Sequence, residues 1–300
     1  MRNPISLSYR VVDVFTETRF GGNPLAVVLE ADALSTDQMQ VIAREFGFSE
    51  TSFVLAPKDP AHDARVRIFT PTVEMPFAGH PNVGTAYVLA SERDPIPKAM
   101  VFEELAGLVD VVIEETDSAV TGTVIRAPEP LSLGSEISAE AAAAALSLDP
   151  SEITTDRHLP QIASVGAPFL FVELTARDAL RRARPNASAL KDALAGIPSS
   201  PDAVYAYTRD IGPSDGAVDW TARMFAPEDG IAEDPATGSA TGALGALFHR
   251  LGTAPRLGAR YLAAQGVDMG RPSLLRIKAN DEITEIGGAT VSVMSGVLTV

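Results

Sequence analysis

The same turn and helix start occurs twice in this chain. Residues 78–89 read AGHPNVGTAYVL, and residues 232–243 read AEDPATGSATGA. The two segments share two alanines, a proline and a glycine at matching positions, and Thr85 matches Ser239. The one chemically distinct pair is His80 and Asp234. A repeated segment of this kind indicates that the two halves of the chain have the same fold.

Two further segments repeat in the same order and at nearly the same spacing. GNPLAVVLE at 22–30 resembles GAPFLFVEL at 166–174, and RIFTP at 67–71 resembles RMFAP at 223–227. Between the halves the pattern is lost and Pro, Gly and Ser become frequent, which is typical of a domain boundary. We therefore predict two similar domains, 1–124 (possibly with 290–300) and 125–289.

Each half reads as short strands followed by one apolar helix. Strands without long helical crossovers between them indicate a mixed α+β fold. The helix after each repeated turn consists largely of small residues, and such a helix is typical of a buried position. We predict that each half is a curved mixed β-sheet or barrel around a buried helix. A separate helix begins at Ser35, with Gln38 completing a capping box.

Composition excludes several classes of partner. The chain of 300 residues has a net charge of −15 and no run of Lys or Arg, so we expect no nucleic-acid partner. No segment reaches the roughly 20 apolar residues of a membrane helix, and the N-terminal residues do not resemble a signal peptide, so we expect no membrane partner. Cysteine is absent, which rules out disulfides and thiolate sites and fits the cytoplasm.

The two repeated turns are the first candidate site. The first N–H groups of a helix lack partners and attract anions, so a carboxylate can bind there. We expect the backbone near Gly79, Gly84, Gly238 and Ser239 to bind one. Asp234 is expected to cap its helix, with Pro235 at the first helical position. If a pseudo-two-fold axis relates the halves, His80 and Asp234 face a common point and belong to one active site.

Glu50 is the second candidate, at the junction between the first helix and the next strand. Its counterpart in the second half falls near Pro201, where no carboxylate stands, and a one-base proton shuttle needs an acid in only one half. A solvated carboxylate at a strand start is the alternative interpretation. Glu50, His80 and Asp234 could in principle bind a metal, but no metal-ligand spacing supports this, and we expect no metal site.

Four segments together resemble one family of enzymes. GGNPLAVV, FSETSFV, RIFTPTVEMPFAGHPNVGTA and RMFAPEDGIAEDPATGSATGAL are similar to the signature blocks of the PhzF-like (phenazine-biosynthesis) isomerases, which share the fold of diaminopimelate epimerase. The resemblance implies that Glu50 is the acid/base of the isomerisation. It also implies roles for His80, Asp234 and Ser239. Ser49, beside Glu50, and Thr85, which matches Ser239, are further candidate substrate contacts.

We therefore predict an isomerase that needs no cofactor. It would move a proton and double bond within a small carboxylated metabolite, like trans-2,3-dihydro-3-hydroxyanthranilate isomerase, and we expect a homodimer. The alternatives are an amino-acid-type racemase or epimerase without cysteines and a non-catalytic metabolite-binding homologue. The related epimerases use two cysteines, which this chain lacks. Arg67 and Arg223 are expected to form structural ion pairs rather than to bind substrate.

Overall fold

The computed structural model describes residues 5–198, 200–212, 216–255, 260–280 and 282–300. The chain forms two compact units, Met1–Pro128 with Gly287–Val300, and Glu129–Ile286. In each, apolar residues follow the period of two or the unbroken apolar runs that half-buried and buried strands require.

The first unit is built mainly of strands. They are β1 (Ser6–Val14), β2 (Asn23–Val28), β3 (Glu50–Leu55), β4 (Ala64–Phe69), β5 (Glu74–Met75), β6 (Ala99–Glu104), β7 (Gly107–Thr116) and β8 (Ala119–Arg126). A last strand, β17 (Thr284–Thr299), begins in the second unit and supplies the rest of its length to the first.

These strands close into a barrel. The pairing order runs β1–β2–β3–β4–β6–β7–β8–β17, and β17 pairs back with β1. The β2–β3 and β4–β6 pairs are parallel and the other pairs with a recorded register are antiparallel. The predicted α+β class with a curved mixed sheet is confirmed.

Two helices lie on opposite faces of this sheet. Helix α2 (Gly79–Ser91) contacts β1, β2, β3, β7 and β8, and residues 79–86 are all buried. Gly84 allows this approach, because a Cβ there would lie 2.6 Å from a Leu25 methyl carbon. Helix α1 (Thr36–Phe46) packs on the other face, and the predicted capping box between Ser35 and Gln38 is present.

The second unit has its own strands and helices. The strands are β9 (Ser132–Glu136), β10 (Gln161–Ser164), β11 (Pro168–Glu173), β12 (Val204–Thr208), β13 (Trp220–Ala226), β14 (Ile231–Asp234), β15 (Arg260–Gln265) and β16 (Ser273–Ala279). The helices are α3 (Ala139–Leu146), α4 (Arg177–Arg182), α5 (Ala187–Ala193) and α6 (Gly238–Leu251).

The pairing pattern of the first unit recurs in the second. The order β10–β11–β12–β13–β15–β16 is antiparallel, parallel, antiparallel, parallel and antiparallel, as is β1–β2–β3–β4–β6–β7. Helix α6 corresponds to α2, and its residues from Gly238 to Phe248 are all buried. The repeated sequence segments therefore occupy equivalent strands and helices.

Two repeated arginines form equivalent ion pairs. Arg67 binds Glu74 and Arg223 binds Glu233, each with a shortest N–O distance of 2.6 Å. Each guanidinium also lies over the ring two residues further along its strand, Phe69 or Phe225. The contacts agree with the expected structural role of both arginines. Among the described helices, none has the length and apolar character needed to cross a bilayer.

Candidate active site

Glu50 is the first residue of β3, where the chain leaves α1. That helix ends at Gly47, whose φ of 65° is a left-handed conformation that glycine adopts without strain. The chain then passes through Phe48 and Ser49 into β3, in which Glu50 pairs with Leu25 of β2. The Glu50 side chain is 14% exposed, and its Oε2 atom is buried.

His80 lies beside Glu50, although the two residues are far apart in the chain. It is the second residue of α2 and its side chain is 3% exposed. The His80 Nδ1 atom is 3.4 Å from Glu50 Oε2 and 3.4 Å from the Asn23 amide nitrogen. The structure thus brings two of the three predicted catalytic residues together within the first unit.

Burial keeps the His80 imidazole neutral. Loss of hydration lowers the pKa of His80 to about 3, and a hydrogen bond to the Pro24 carbonyl opposes this shift only in part. The contact with Glu50 therefore joins a carboxylate and a neutral ring. A neutral ring has one N–H that donates a hydrogen bond and one nitrogen that accepts one, which suits a group that orients a carboxyl group or a substrate.

We expect the His80 ring to stay neutral between about pH 5 and about pH 8, where an ordinary histidine titrates. As the pH falls through that range, the unfolded chain gains a proton that folded His80 does not take up, so the free energy of unfolding declines. Imidazole NMR of the folded protein, with His80→Gln to assign the signal, measures this. The control is the urea-unfolded chain, in which all four histidines should titrate normally. A His80 signal that moves with an ordinary pKa in the folded protein contradicts the expectation.

The predicted anion contacts on α2 are only partly available. Because the helix begins at Gly79, the N–H groups of Gly79 and His80 are in its first turn and have no acceptor within the helix. Gly84 and Thr85 lie in the second turn, where the helix uses the N–H groups itself. This corrects the expectation that the backbone at Gly84 binds a carboxylate, and Gly84 serves instead for close packing.

In the second unit, Asp234 is not the helix cap that we expected. It is the last residue of β14, and α6 begins four residues later with Thr237 at the N-cap. The reason is a contact from a distant strand. The Gln265 side-chain oxygen accepts the Thr237 N–H at 3.1 Å, which holds the turn extended.

Asp234 is instead held by its neighbour. Its Oδ2 accepts a hydrogen bond of 2.5 Å from the Thr237 hydroxyl, and the residue is 4% exposed. Gly238 and Ser239 follow in the first turn of α6, where N–H groups lack acceptors within the helix. This unit therefore pairs a buried carboxylate with a helix start that can receive an anion.

Sequence reasoning missed Asn23 and Gln265. The Gly-x-Pro segment occurs in both halves, with Asn23 in the first and Ala167 in the second. A polar residue present in only one half was the signal that could have indicated Asn23. The structure also corrects the counterpart of Glu50. Strand register places Ala203 rather than Pro201 there, and the second half still has no acid at this position.

The described residues contain no group of three His, Cys, Asp or Glu side chains arranged to hold a metal ion. The absence of a metal site therefore stays a prediction.

Comparison with known proteins identifies related chains along almost the whole length. The model of a family described as phenazine biosynthesis-like protein (PhzC-PhzF) matches residues 12–296. An uncharacterised isomerase of Mesorhizobium japonicum is 41% identical over 299 residues, which cover 96% of this chain and 94% of the relative.

A relative with a stated reaction is also similar. The trans-2,3-dihydro-3-hydroxyanthranilate isomerase of Pseudomonas aeruginosa is 35% identical over 284 residues, covering 95% of this chain and 94% of that protein. Among solved structures, a phenazine biosynthesis protein of the PhzF family from Bacillus anthracis superposes with a TM-score of 0.86 at 25% identity. That match covers 99% of this chain and 100% of the other.

Proposed function

The chain belongs to the phenazine biosynthesis-like family, its matched relatives are named isomerases, and we propose that it moves a proton and a double bond within a small carboxylated metabolite. The relative from Pseudomonas aeruginosa acts on trans-2,3-dihydro-3-hydroxyanthranilate, and we propose a substrate of that class here. The reaction as proposed needs no cofactor, because one carboxylate can carry the proton.

The observation that carries this proposal is the contact between Glu50 and His80. The carboxyl group of the partly exposed Glu50 side chain lies 3.4 Å from a buried ring nitrogen. Glu50 is the first residue of β3 and His80 is the second residue of α2. The His80 ring, which also lies 3.4 Å from the Asn23 amide nitrogen, limits the orientations of the Glu50 side chain. A general base has to be held in this way to act on one substrate proton.

The proton and the electrons balance within the substrate. The Glu50 carboxylate takes a proton from a carbon next to an existing double bond. The electron pair of that C–H bond forms the new double bond, and the old one shifts along the conjugated system. The Glu50 carboxylic acid then returns a proton to the carbon at the far end, so the base is restored and no oxidant or reductant is consumed.

Neutral His80 is proposed to orient Glu50 or to hold a substituent of the substrate. The N–H groups of Gly79 and His80 are proposed as donors to negative charge that develops in the reaction. In the second unit, Gly238 and Ser239 offer equivalent donors, and Asp234 offers an acceptor for an amino or hydroxyl group. Epimerisation by two thiols is not available, because the chain has no cysteine.

The test is conversion of trans-2,3-dihydro-3-hydroxyanthranilate by protein treated with EDTA and dialysed. We expect a product with a shifted double bond, formed at the same rate as by untreated protein. Activity that is lost on chelation and restored by a divalent ion would contradict a cofactor-independent reaction. Inversion at one carbon without a shifted double bond would favour a racemase or epimerase instead.

A further inference from the structure

Glu104 and Gln265 occupy equivalent positions in the two units. Glu104 ends β6 and Gln265 ends β15, and each of these strands pairs in parallel with the strand that carries the repeated arginine. The register is the same, because Arg65 pairs with Glu103 and its counterpart Thr221 pairs with Ala264. The next residue along each strand is therefore a carboxylic acid in one unit and an amide in the other.

Gln265 uses both ends of its amide to hold the turn before α6. Its oxygen accepts the Thr237 N–H at 3.1 Å, and its nitrogen donates to the Asp234 carbonyl at 2.8 Å. The same nitrogen lies 3.0 Å from the Thr237 hydroxyl, which in turn binds the Asp234 carboxylate. Gln265 thus positions Asp234 through the Asp234 carbonyl and through Thr237, and this requires a donor as well as an acceptor.

Glu104 lies beside the matching turn of the first unit. The residue is partly exposed, but both carboxyl oxygens are buried, and neither makes a hydrogen bond of good geometry within the described part of the chain. The neighbouring polar group is the Asn82 amide, two residues after His80 on the first turn of α2. Its N–H faces the Glu104 carboxyl group and favours the charged form, against the larger effect of burial. Asn82 donates to the Ala78 carbonyl at 3.0 Å, while its own oxygen has no partner among the described residues.

The protonated form of Glu104 complements Asn82. A carboxylate only accepts hydrogen bonds, so it cannot satisfy the buried Asn82 oxygen. A carboxylic acid has one O–H to donate and keeps an oxygen that can accept, which is the same pair of capacities that the Gln265 amide uses. The buried, poorly partnered oxygens of both residues favour the neutral acid over the charged form.

The surroundings of Glu104 contain little that would stabilise its charge. Along β4 and β7 the buried side chains on its face are apolar. The charged residues Arg65, Arg67, Asp110 and Glu114 alternate onto the other face, and Glu115 is exposed. His80 is the titratable group on the facing turn of α2, and it is neutral. Glu74 of β5 is paired with Arg67. Burial accordingly raises the pKa of Glu104 to about 8.

We propose that Glu104 is a positioning residue that, as a neutral carboxylic acid, fixes Asn82 and with it the helical turn that carries His80. It takes the place in the first unit that Gln265 takes beside Asp234 in the second. Ionisation of Glu104 at alkaline pH removes the donor and loosens this turn. Its effect on turnover depends on the function proposed above, whereas its protonation and its link to His80 do not.

The direct test is imidazole NMR of His80 across neutral and alkaline pH. In the wild type we expect the His80 signal to shift with an apparent pKa of about 8, since it reports the ionisation of Glu104. Glu104→Gln should abolish the shift and keep the signal near its neutral-pH position. Asp110→Asn, which removes an exposed carboxylate on the adjacent strand, should leave the shift intact. A shift that persists in Glu104→Gln, or no shift in the wild type, overturns the proposal.

Denaturation at several pH values gives an independent result. The folded-state pKa of Glu104 lies above its unfolded value of 4.5, so the unfolded chain releases this proton first. The denaturation midpoint of the wild type should therefore fall relative to that of Glu104→Gln as pH rises from about 4.5 to about 8. Midpoints that run parallel over this range would overturn the proposal, even if Glu104→Leu fails to fold.

Turnover then separates positioning from a purely structural role. The wild type should lose kcat as pH rises through the ionisation of Glu104, and Glu104→Leu should lose it at all pH values. Glu104→Gln should restore turnover relative to Glu104→Leu and lack the alkaline decline. An unchanged alkaline decline in Glu104→Gln assigns it to another group and overturns the proposal. If the wild type converts no assay substrate, the proposed function fails, while the NMR and denaturation results still decide the role of Glu104.

Discussion

Glu50→Gln should lower turnover by roughly two to four orders of magnitude, the usual contribution of general acid–base catalysis. The amide has nearly the same shape as the carboxylate but cannot take up and return the proton. Glu50 is only partly buried and lies at a strand start, so the thermal unfolding midpoint should stay close to that of the wild type. Steady-state kinetics and thermal unfolding of the same preparations measure the two effects.

The matched control is Glu45→Gln, an exposed carboxylate on α1 close to Glu50 in sequence. It should leave both turnover and stability unchanged. That result would show that the loss of one negative charge in this region is not enough to lower turnover. A Glu50→Gln enzyme with nearly full turnover would remove Glu50 from the mechanism.

Arg223→Met should lower the free energy of unfolding by roughly 3–5 kcal/mol, the scale for removing one partner of a buried ion pair. The Arg223 side chain is 7% exposed and Glu233 is 15% exposed. The Arg223 guanidinium also donates to the carbonyl groups of Leu180 and Ala183 at 3.0 and 2.9 Å. Methionine would fill much of the volume but leave these acceptors and the carboxylate unpaired.

The internal duplication supplies the matched control for this measurement. Arg67→Met removes the equivalent ion pair in the first unit, where Arg67 and Glu74 are 21% and 20% exposed. Water can solvate the remaining carboxylate there, so the loss should be smaller, about 1 kcal/mol. Urea denaturation of both variants compares them. Equal, small losses would show that Arg223 is not the buried anchor of the second unit.

The duplication made much of the fold predictable. Pairs such as Arg67 and Arg223 set the alignment of the halves, and the apolar runs around them indicated strands in a mixed sheet. The small residues of α2 and α6 indicated buried helices, since such helices cannot be placed at a surface without exposing apolar area. Closure of the barrel of the first unit through β17 depends on pairing between distant strands, which local patterns do not specify.

The site residues were predictable where a reactive side chain lies in a family motif or a repeated segment. They were less predictable where contacts between distant segments determine the local structure. Glu50 and His80 were selected on motif and position, and their 3.4 Å contact is a tertiary result. The start of α6 could not be placed, because Gln265 lies 28 residues beyond the Thr237 N–H that it binds. The roles of Glu50 and His80 in catalysis stay predictions, and the measurements described above test them.

The central claim is that Glu50 takes a proton from one carbon of the substrate and returns a proton to another. The most direct measurement is NMR of trans-2,3-dihydro-3-hydroxyanthranilate incubated with the protein in deuterated water. We expect a product with a shifted double bond and with solvent deuterium on the carbon that receives the proton, because the Glu50 acid exchanges with solvent before it returns a proton. Glu50→Gln should form almost none of this product. No isomerisation by the wild type, or labelled product formed equally by Glu50→Gln, would contradict the account.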